Sequence, residues 1–141
     1  MTRFKINHVA MVVPAIGPFL ARTASVFGDF AQRGVIDNER QQVREHFLSD
    51  GATTIELLEP IGERSPVGSF LQRNPHGGLV HLALDVDQLD AALADLVAAG
   101  GKLVKKPVPD VAFGERRIAF VLLAGQLIEV IERGPDAQRT R

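Results

Sequence analysis

Two histidines and two glutamates stand at matching places in this sequence of 141 residues. The separation from His8 to Glu56 (56 − 8) equals that from His81 to Glu129 (129 − 81). Glu56 lies inside TTIELLEP, which reads as a buried strand, where a carboxylate loses hydration unless a cation compensates. Two imidazoles and two carboxylates suit a divalent ion such as Co²⁺, Mn²⁺, Ni²⁺, Fe²⁺ or Zn²⁺. We therefore predict that these four side chains bind one metal ion.

The equal spacing belongs to an internal repeat with an offset of 73 residues (81 − 8). HVAMVVPA at His8 matches HLALDVDQ at His81, and TIELLE at 54–59 matches LIEVIE at 127–132, with no gap between them. Duplication alone would copy structural residues as well. It does not explain why both copies stay polar within apolar strands, which favours a shared metal-binding role.

Each half of the chain is predicted to be a βαβββ module, so that the fold class is α+β. In the first half we expect strands at 5–13, near 33–37, 43–48 and 53–59, and a helix at 15–28. In the second half we expect strands at 79–86, 102–105, 116–123 and 126–132, and a helix at 88–99 that Asp87 caps. The segment KKPVPD after residue 104 is predicted to be a loop.

The two modules are expected to form a single domain over 1–141, because neither half alone can bury both faces of its sheet. The first module is placed at 5–60 and the second at 78–132. A connector helix at 65–74 separates them, with Ser65 as its N-cap and Pro66 as its first residue. The polar tail at 134–141 is expected to be flexible.

Composition narrows the function classes. The formal net charge of −1 gives no electrostatic bias toward nucleic acid or an anionic membrane. The absence of cysteine excludes disulfides and thiol chemistry. No apolar run has the length of a membrane span, and the N-terminal sequence lacks the layout of a signal peptide. We therefore expect a cytoplasmic protein that acts on a small molecule.

The chain resembles the vicinal oxygen chelate superfamily, and within it is most similar to methylmalonyl-CoA epimerases. The resemblance extends over about residues 5–132. Its most specific residues are Glu56 before Leu-Leu-x-Pro, Ser65, Pro66, Phe70 and Leu71 of the SP…FL connector, His81 in HLALDV, and Glu129 in LIEV. The resemblance implies a cup-shaped mixed sheet with helices outside, a divalent metal, an acyl-CoA substrate and a homodimer.

The chain also departs from the family pattern at three places. Val80 precedes His81, where members usually have a His-His pair. FVLLAGQLIEV replaces a longer FLHPK…GG segment that shapes the acyl-CoA end of the pocket in the family. RQQV at 40–43 replaces EQGV. The second departure leaves open which acyl substrate the chain accepts.

Transfer of the proton α to a thioester carbonyl is the chemistry that the resemblance implies. A divalent ion stabilises the developing enolate, and a base and an acid on opposite faces invert the carbon. Glu45, by its place before the Asp-Gly turn, matches a catalytic glutamate in some epimerases, and Glu129 can serve as the second carboxyl group. His46 points to the opposite strand face from Glu45, so only one of the two can face the site.

Several of these candidates have a structural alternative. Glu45 can instead be a surface residue that pairs with Arg44, Arg116 or Arg117. His76 in NPHGG is expected to be a loop residue. The lysines at 102, 105 and 106 are more typical of a solvated strand end than of a phosphate site.

Three functions follow, and the metal-dependent epimerase is favoured. A glyoxalase-type isomerase or lyase on another small substrate is the first alternative. An extradiol oxygenase fits less well, because its iron prefers two His and one carboxylate. A resistance-type protein that binds a small ligand is the alternative of another class, and such members typically lack the four metal residues.

Overall fold

The computed structural model describes residues 3–133, so the tail predicted to be flexible lies outside the described range. The strands are β1 (Lys5–Val12), β2 (Ala31–Asn38), β3 (Val43–Ser49), β4 (Thr54–Pro60), β5 (Gly78–Val86), β6 (Lys102–Asp110), β7 (Arg116–Leu123) and β8 (Gln126–Glu132). The helices are α1 (Ile16–Arg22), α2 (Ala24–Phe27), α3 (Pro66–Arg73) and α4 (Leu89–Ala98), and a 3₁₀ turn spans Val111–Phe113. Within residues 3–133 no helix is both long and apolar enough to cross a bilayer.

Backbone packing divides the chain into two compact units. Of the described residues, 8–80 form the N-terminal unit, and 3–7 together with 81–133 form the C-terminal unit. The beginning of β1 therefore belongs to the C-terminal unit. There the side-chain amide of Asn7 donates a hydrogen bond to the Asp85 carboxylate over 3.0 Å, which ties the start of the chain to β5.

The N-terminal unit has the strand order β2-β3-β4-β1. β4 runs parallel to β1 and antiparallel to β3, and β3 runs antiparallel to β2. Leu57 and Leu58 are both buried, although successive side chains of a strand point to opposite faces. Leu57 packs with Ile16 of α1, and Leu58 packs with Val67 of α3. Helices therefore cover both faces of β4.

The C-terminal unit repeats this arrangement with the order β5-β8-β7-β6. β8 runs parallel to β5 and antiparallel to β7, and β7 runs antiparallel to β6. Leu89, Ala92 and Leu96 form the buried stripe of α4 and pack against Val121 and Val130. The predicted α+β fold of two βαβββ modules is confirmed in both units.

Two predicted element boundaries are wrong. KKPVPD is not a loop, because β6 continues to Asp110. Pro107 and Pro109 are tolerated there because β6 is the outermost strand of its order and its register with β7 shifts twice. The helix predicted at 15–28 is interrupted at Thr23, whose hydroxyl donates to the Phe19 carbonyl over 2.8 Å.

The capping predictions fail for a different reason. The backbone N–H of Leu89 at the start of α4 donates to a Glu132 carboxylate oxygen over 3.0 Å, so the cap comes from β8 rather than from Asp87. The N–H of Ile16 at the start of α1 likewise donates to Glu59 over 2.7 Å. Ser65 precedes α3 as predicted, but its side chain makes no capping hydrogen bond.

An arginine completes the helix caps of α1 and α4. The guanidinium of Arg44 lies 3.3 Å from Glu59, and that of Arg117 lies 2.8 Å from Glu132. Both contacts fall on the 73-residue offset, and we call each set of arginine, glutamate and helix N–H a carboxylate clamp. The hydrogen bond from Arg117 lowers the pKa of Glu132, and the hydrogen bond from the Leu89 amide acts in the same direction.

Substitution of Glu132 by Gln is expected to reduce the free energy of unfolding by about 1 kcal/mol at neutral pH, because the helix cap weakens and the ion pair is lost. A carboxylate with a lowered folded-state pKa stabilises above its unfolded pKa, and this contribution disappears as pH falls through the folded value. The difference between wild type and Glu132→Gln should therefore shrink below about pH 4.5. Urea unfolding at several pH values measures it.

The matched control is Glu63→Gln, which removes the same charge from an exposed position in the connector. Its free energy of unfolding should stay close to that of wild type. A pH-independent difference for Glu132→Gln would show that the ion pair does not stabilise α4.

Candidate metal centre

The first His–Glu pair lies in the N-terminal unit, on neighbouring parallel strands. Ala10 of β1 is paired with Glu56 of β4, and His8 stands two residues before Ala10, so the three side chains share one face. His8 Nε2 lies 3.3 Å from Glu56 Oε1, and both side chains are buried. The strand register therefore fixes an imidazole beside a carboxylate inside the unit.

The second pair repeats this geometry in the C-terminal unit. Ala83 of β5 is paired with Glu129 of β8, and His81 stands two residues before Ala83. His81 Nε2 lies 3.5 Å from Glu129 Oε1, with the His81 and Glu129 side chains 6% and 5% exposed. The register in the two units is thus identical under the 73-residue offset.

A phenylalanine packs edge-on against each histidine. The ring centroids of His8 and Phe47 are 5.7 Å apart with an interplanar angle of 86°, and those of His81 and Phe120 are 5.4 Å apart with an angle of 75°. Phe47 is paired with Glu56 across β3 and β4, and Phe120 with Glu129 across β7 and β8. Each ring therefore contacts a histidine beside its glutamate, in the edge-to-face geometry that aromatic rings prefer.

The distance within each pair fits shared coordination of a metal ion. Two ligand atoms about 2.1 Å from one ion, at angles of 90–109°, lie about 3.0–3.4 Å from each other. The separation of 3.3 Å in the first pair lies within this range, and that of 3.5 Å in the second pair lies just above it. Imidazole nitrogen and carboxylate oxygen are also a donor set that first-row divalent ions accept. Both pairs can thus bind an ion with little movement.

Glu45 lies on the same face as the first pair. Glu45 is paired with Leu58, and Phe47 with Glu56, between the antiparallel strands β3 and β4. Since directly opposite residues share a face, Glu45, Phe47 and Glu56 point to the same side of the sheet. Glu45 is only 4% exposed. It is therefore a buried carboxylate on the face that contains His8.

His46 lies on the other face. Its Nε2 is 3.0 Å from Gln32 Oε1 of β2, and burial lowers the pKa of His46, which favours the neutral imidazole. The sequence left open which of Glu45 and His46 shares a face with the first His–Glu pair, and the register of β3 with β4 places Glu45 there.

Arg44 contacts acidic residues of both neighbouring strands. It alternates to the other face and contacts Asp37 over 2.7 Å as well as Glu59. This contact lowers the pKa of Asp37, mainly through the hydrogen bond, and raises that of Arg44. Arg117 is likewise engaged by Glu132.

The two units differ at the position of Glu45. Its counterpart under the repeat is Ile118, which is fully buried and packs with Ala83 and Ile131. The His–Glu pair is therefore duplicated, whereas the additional carboxylate exists in the N-terminal unit alone. The His–Glu pairs therefore follow the repeat, whereas Glu45 departs from it.

The remaining candidates lie away from the pairs. His76 is exposed between α3 and β5, as predicted for a loop residue. Lys102 and Lys106 are exposed on the outer strand β6.

Sequence reasoning did not assign Phe47 and Phe120 a place in the site. The available signal was that Phe47 and Phe120 match each other under the 73-residue offset. This match of two aromatic residues could have predicted a ring beside each His–Glu pair.

The fold agrees with comparisons to known proteins. The chain matches the family model of the Glyoxalase/Bleomycin resistance protein/Dioxygenase superfamily over residues 7–120. It therefore belongs to this superfamily, and the predicted resemblance is confirmed.

Relatives within the superfamily are epimerases. The chain is 32% identical over 132 residues to the mitochondrial methylmalonyl-CoA epimerase of Dictyostelium discoideum, covering 92% of this chain and 78% of the relative. It is 32% identical over 118 residues to the ethylmalonyl-CoA/methylmalonyl-CoA epimerase of Cereibacter sphaeroides, covering 83% and 87%. A solved methylmalonyl-CoA epimerase in complex with methylmalonyl-CoA and NH₄⁺ superposes with a TM-score of 0.78 at 28% identity, covering 93% of this chain and 95% of that chain.

Proposed function

We propose that this chain is a metal-dependent epimerase that moves the proton α to the thioester carbonyl of an acyl-CoA of the methylmalonyl-CoA type. The observation that supports this most directly is the pair of buried His–Glu contacts in identical register. The relatives act in the same reaction class, since epimerases are isomerases. The proposal therefore rests on two grounds, the duplicated His–Glu pairs and the similarity to epimerases.

One divalent ion shared by both pairs is part of the proposal. His8, Glu56, His81 and Glu129 would hold it, and these four residues form a candidate ligand group of suitable types. Co²⁺, Mn²⁺, Ni²⁺, Fe²⁺ and Zn²⁺ all accept imidazole and carboxylate ligands. When bound, the ion supplies positive charge that stabilises the negative charge developing on the thioester oxygen.

Glu45 and Glu129 are proposed as the two acid–base groups. One carboxylate takes the α proton, the C–H bonding electrons delocalise onto the thioester oxygen, and the carboxylic acid on the opposite face returns a proton to the carbon. The configuration at the α carbon inverts, and no electrons are gained or lost. The rings of Phe47 and Phe120 limit access of water, which strengthens electrostatic interactions at the site.

Glu45 is preferred to His46 on two grounds. It shares a face with Glu56, whereas His46 contacts Gln32 on the other side of the sheet. Its burial places a carboxylate where few water molecules compete for the transferred proton. These grounds support the assignment of Glu45 as the base that acts beside the first His–Glu pair.

Substitution of Glu45 by Gln is expected to lower kcat for epimerisation by about 10²–10⁴, because the amide cannot accept the proton. His46→Gln should retain kcat within about twofold. Each epimer of methylmalonyl-CoA is incubated separately in deuterated water, and α-deuterium is followed by mass spectrometry. If Glu45→Gln exchanges the α proton of both epimers at the wild-type rate, the proposed role of Glu45 is contradicted. If the wild-type protein shows no exchange, its substrate is a different compound.

A shared ion predicts one metal per chain, and loss of that metal when either pair is broken. Glu56→Ala and Glu129→Ala should each lose the ion on dialysis and about 10²-fold or more in activity, because one of the four ligands and one negative charge are removed. Elemental analysis after dialysis against each metal measures the stoichiometry. His76→Ala, which removes an exposed imidazole, is the control.

Two ions per chain, with one retained after either substitution, would show that the pairs bind separately. Full activity of metal-free protein would contradict a metal-dependent reaction.

A homodimer in the cytoplasm completes the proposal. β2 and β6 are the outer strands of their respective orders and expose apolar side chains, including Val35 and Val104. Such edges permit pairing with a second chain. Light scattering of the purified protein should give twice the mass of 15.3 kDa, and a monomer at micromolar concentration would contradict the dimer.

A further inference from the structure

We propose that Arg33 is a substrate-binding residue that holds an anionic oxygen group of the thioester substrate. This inference rests on the proposed function, because it takes an acyl-CoA as the ligand. Arg33 lies in β2 of the N-terminal unit, and the sequence pattern did not single it out. The oxyanion is either the carboxylate of the acyl group or a phosphate of CoA.

The strand register places Arg33 on the face of the first His–Glu pair. Arg33 is paired with Phe47 between β2 and β3, and Phe47 is paired with Glu56 between β3 and β4. Directly opposite residues share a face, so the three side chains form a row across the sheet. The backbones of Arg33 and Glu56 are two strand spacings apart, about 10 Å.

A backbone irregularity follows Arg33. Arg33 is paired with Phe47 and Ile36 with Glu45, so three steps along β2 correspond to two steps along β3. This extra residue is a β-bulge, and bulges occur beside active sites, where they redirect a side chain. The bulge ends the regular pairing of β2 immediately after Arg33 and before the position opposite Glu45.

The guanidinium of Arg33 stacks on the ring of Phe47. Its central carbon lies 4.6 Å from the ring centroid, and the same ring packs edge-on against His8. Stacking orients the guanidinium plane and holds it over the aromatic face. Phe47 is buried while Arg33 is exposed, so the cation stands between solvent and the buried carboxylates.

This arrangement suits recognition of an oxyanion. A planar guanidinium presents paired N–H donors that match carboxylate and phosphate oxygens. Methylmalonyl-CoA contains both groups, and entry of such an anion beside Glu45 and Glu56 is unfavourable without a nearby positive charge. Arg33 supplies that charge on the same face, at a position outside the two acid–base groups.

Arg33→Gln is expected to raise the KM for methylmalonyl-CoA, and its Kd by calorimetric titration, about tenfold, with kcat within about twofold. Arg33→Lys should recover part of this loss, because it keeps the charge without the planar fork. Arg22→Gln removes the same charge from α1, whose Ile16 packs on the opposite face. It should leave KM and Kd unchanged.

The same acyl group on N-acetylcysteamine, which lacks every CoA phosphate, identifies the oxyanion. An equal effect of Arg33→Gln on this thioester assigns Arg33 to the carboxylate, and an effect seen with methylmalonyl-CoA alone assigns it to a phosphate. Unchanged Kd and KM for Arg33→Gln, or an equal rise for Arg22→Gln, would overturn the inference. A wild type that binds methylmalonyl-CoA without α exchange would refute the epimerase proposal, while the Kd comparison still tests Arg33.

Discussion

Burial of a carboxylate beside an imidazole is the constraint on which the rest of this structure depends. Glu56 and Glu129 are each almost fully buried between two apolar neighbours in their strands. A charge in that position is costly unless a cation or hydrogen bonds compensate it. The parallel pairing of the first and last strands of each module places a histidine at the required distance. Strand order and register therefore set the distance between the imidazole and the carboxylate in each pair.

The sequence determined much of this arrangement because the repeat made single weak signals reinforce each other. An isolated His or Glu near a strand is ambiguous, whereas two pairs with equal separation and one common offset are not. Alternation along β3 predicted that Glu45 and His46 face opposite sides. It could not say which side is which, because that depends on the register with β4, and register is a tertiary property.

The errors have the same origin. Asp87 is a good local N-cap by residue type, but Glu132 reaches the α4 N-terminus from a strand 43 residues away. Prolines predict a loop from local stiffness, yet an outer strand with pairing on one side tolerates them. The sequence also did not predict the row of side chains from Arg33 to Glu56, because the bulge in β2 shifts the pairing of β2 with β3 by one residue. Local preference was overridden wherever a distant strand supplied the partner.

The membership of residues 3–7 in the C-terminal unit affects how the chain folds during synthesis. The N-terminal unit uses residues 8–80 and can begin to pack once these have left the ribosome. The contact between Asn7 and Asp85 spans 78 positions, so the C-terminal unit must recruit residues 3–7 after its own strands emerge. Closing so long a loop costs entropy that grows only slowly with length. The segment 3–7 is thus synthesised well before the strand that it contacts, and its deletion would disturb assembly of the C-terminal unit.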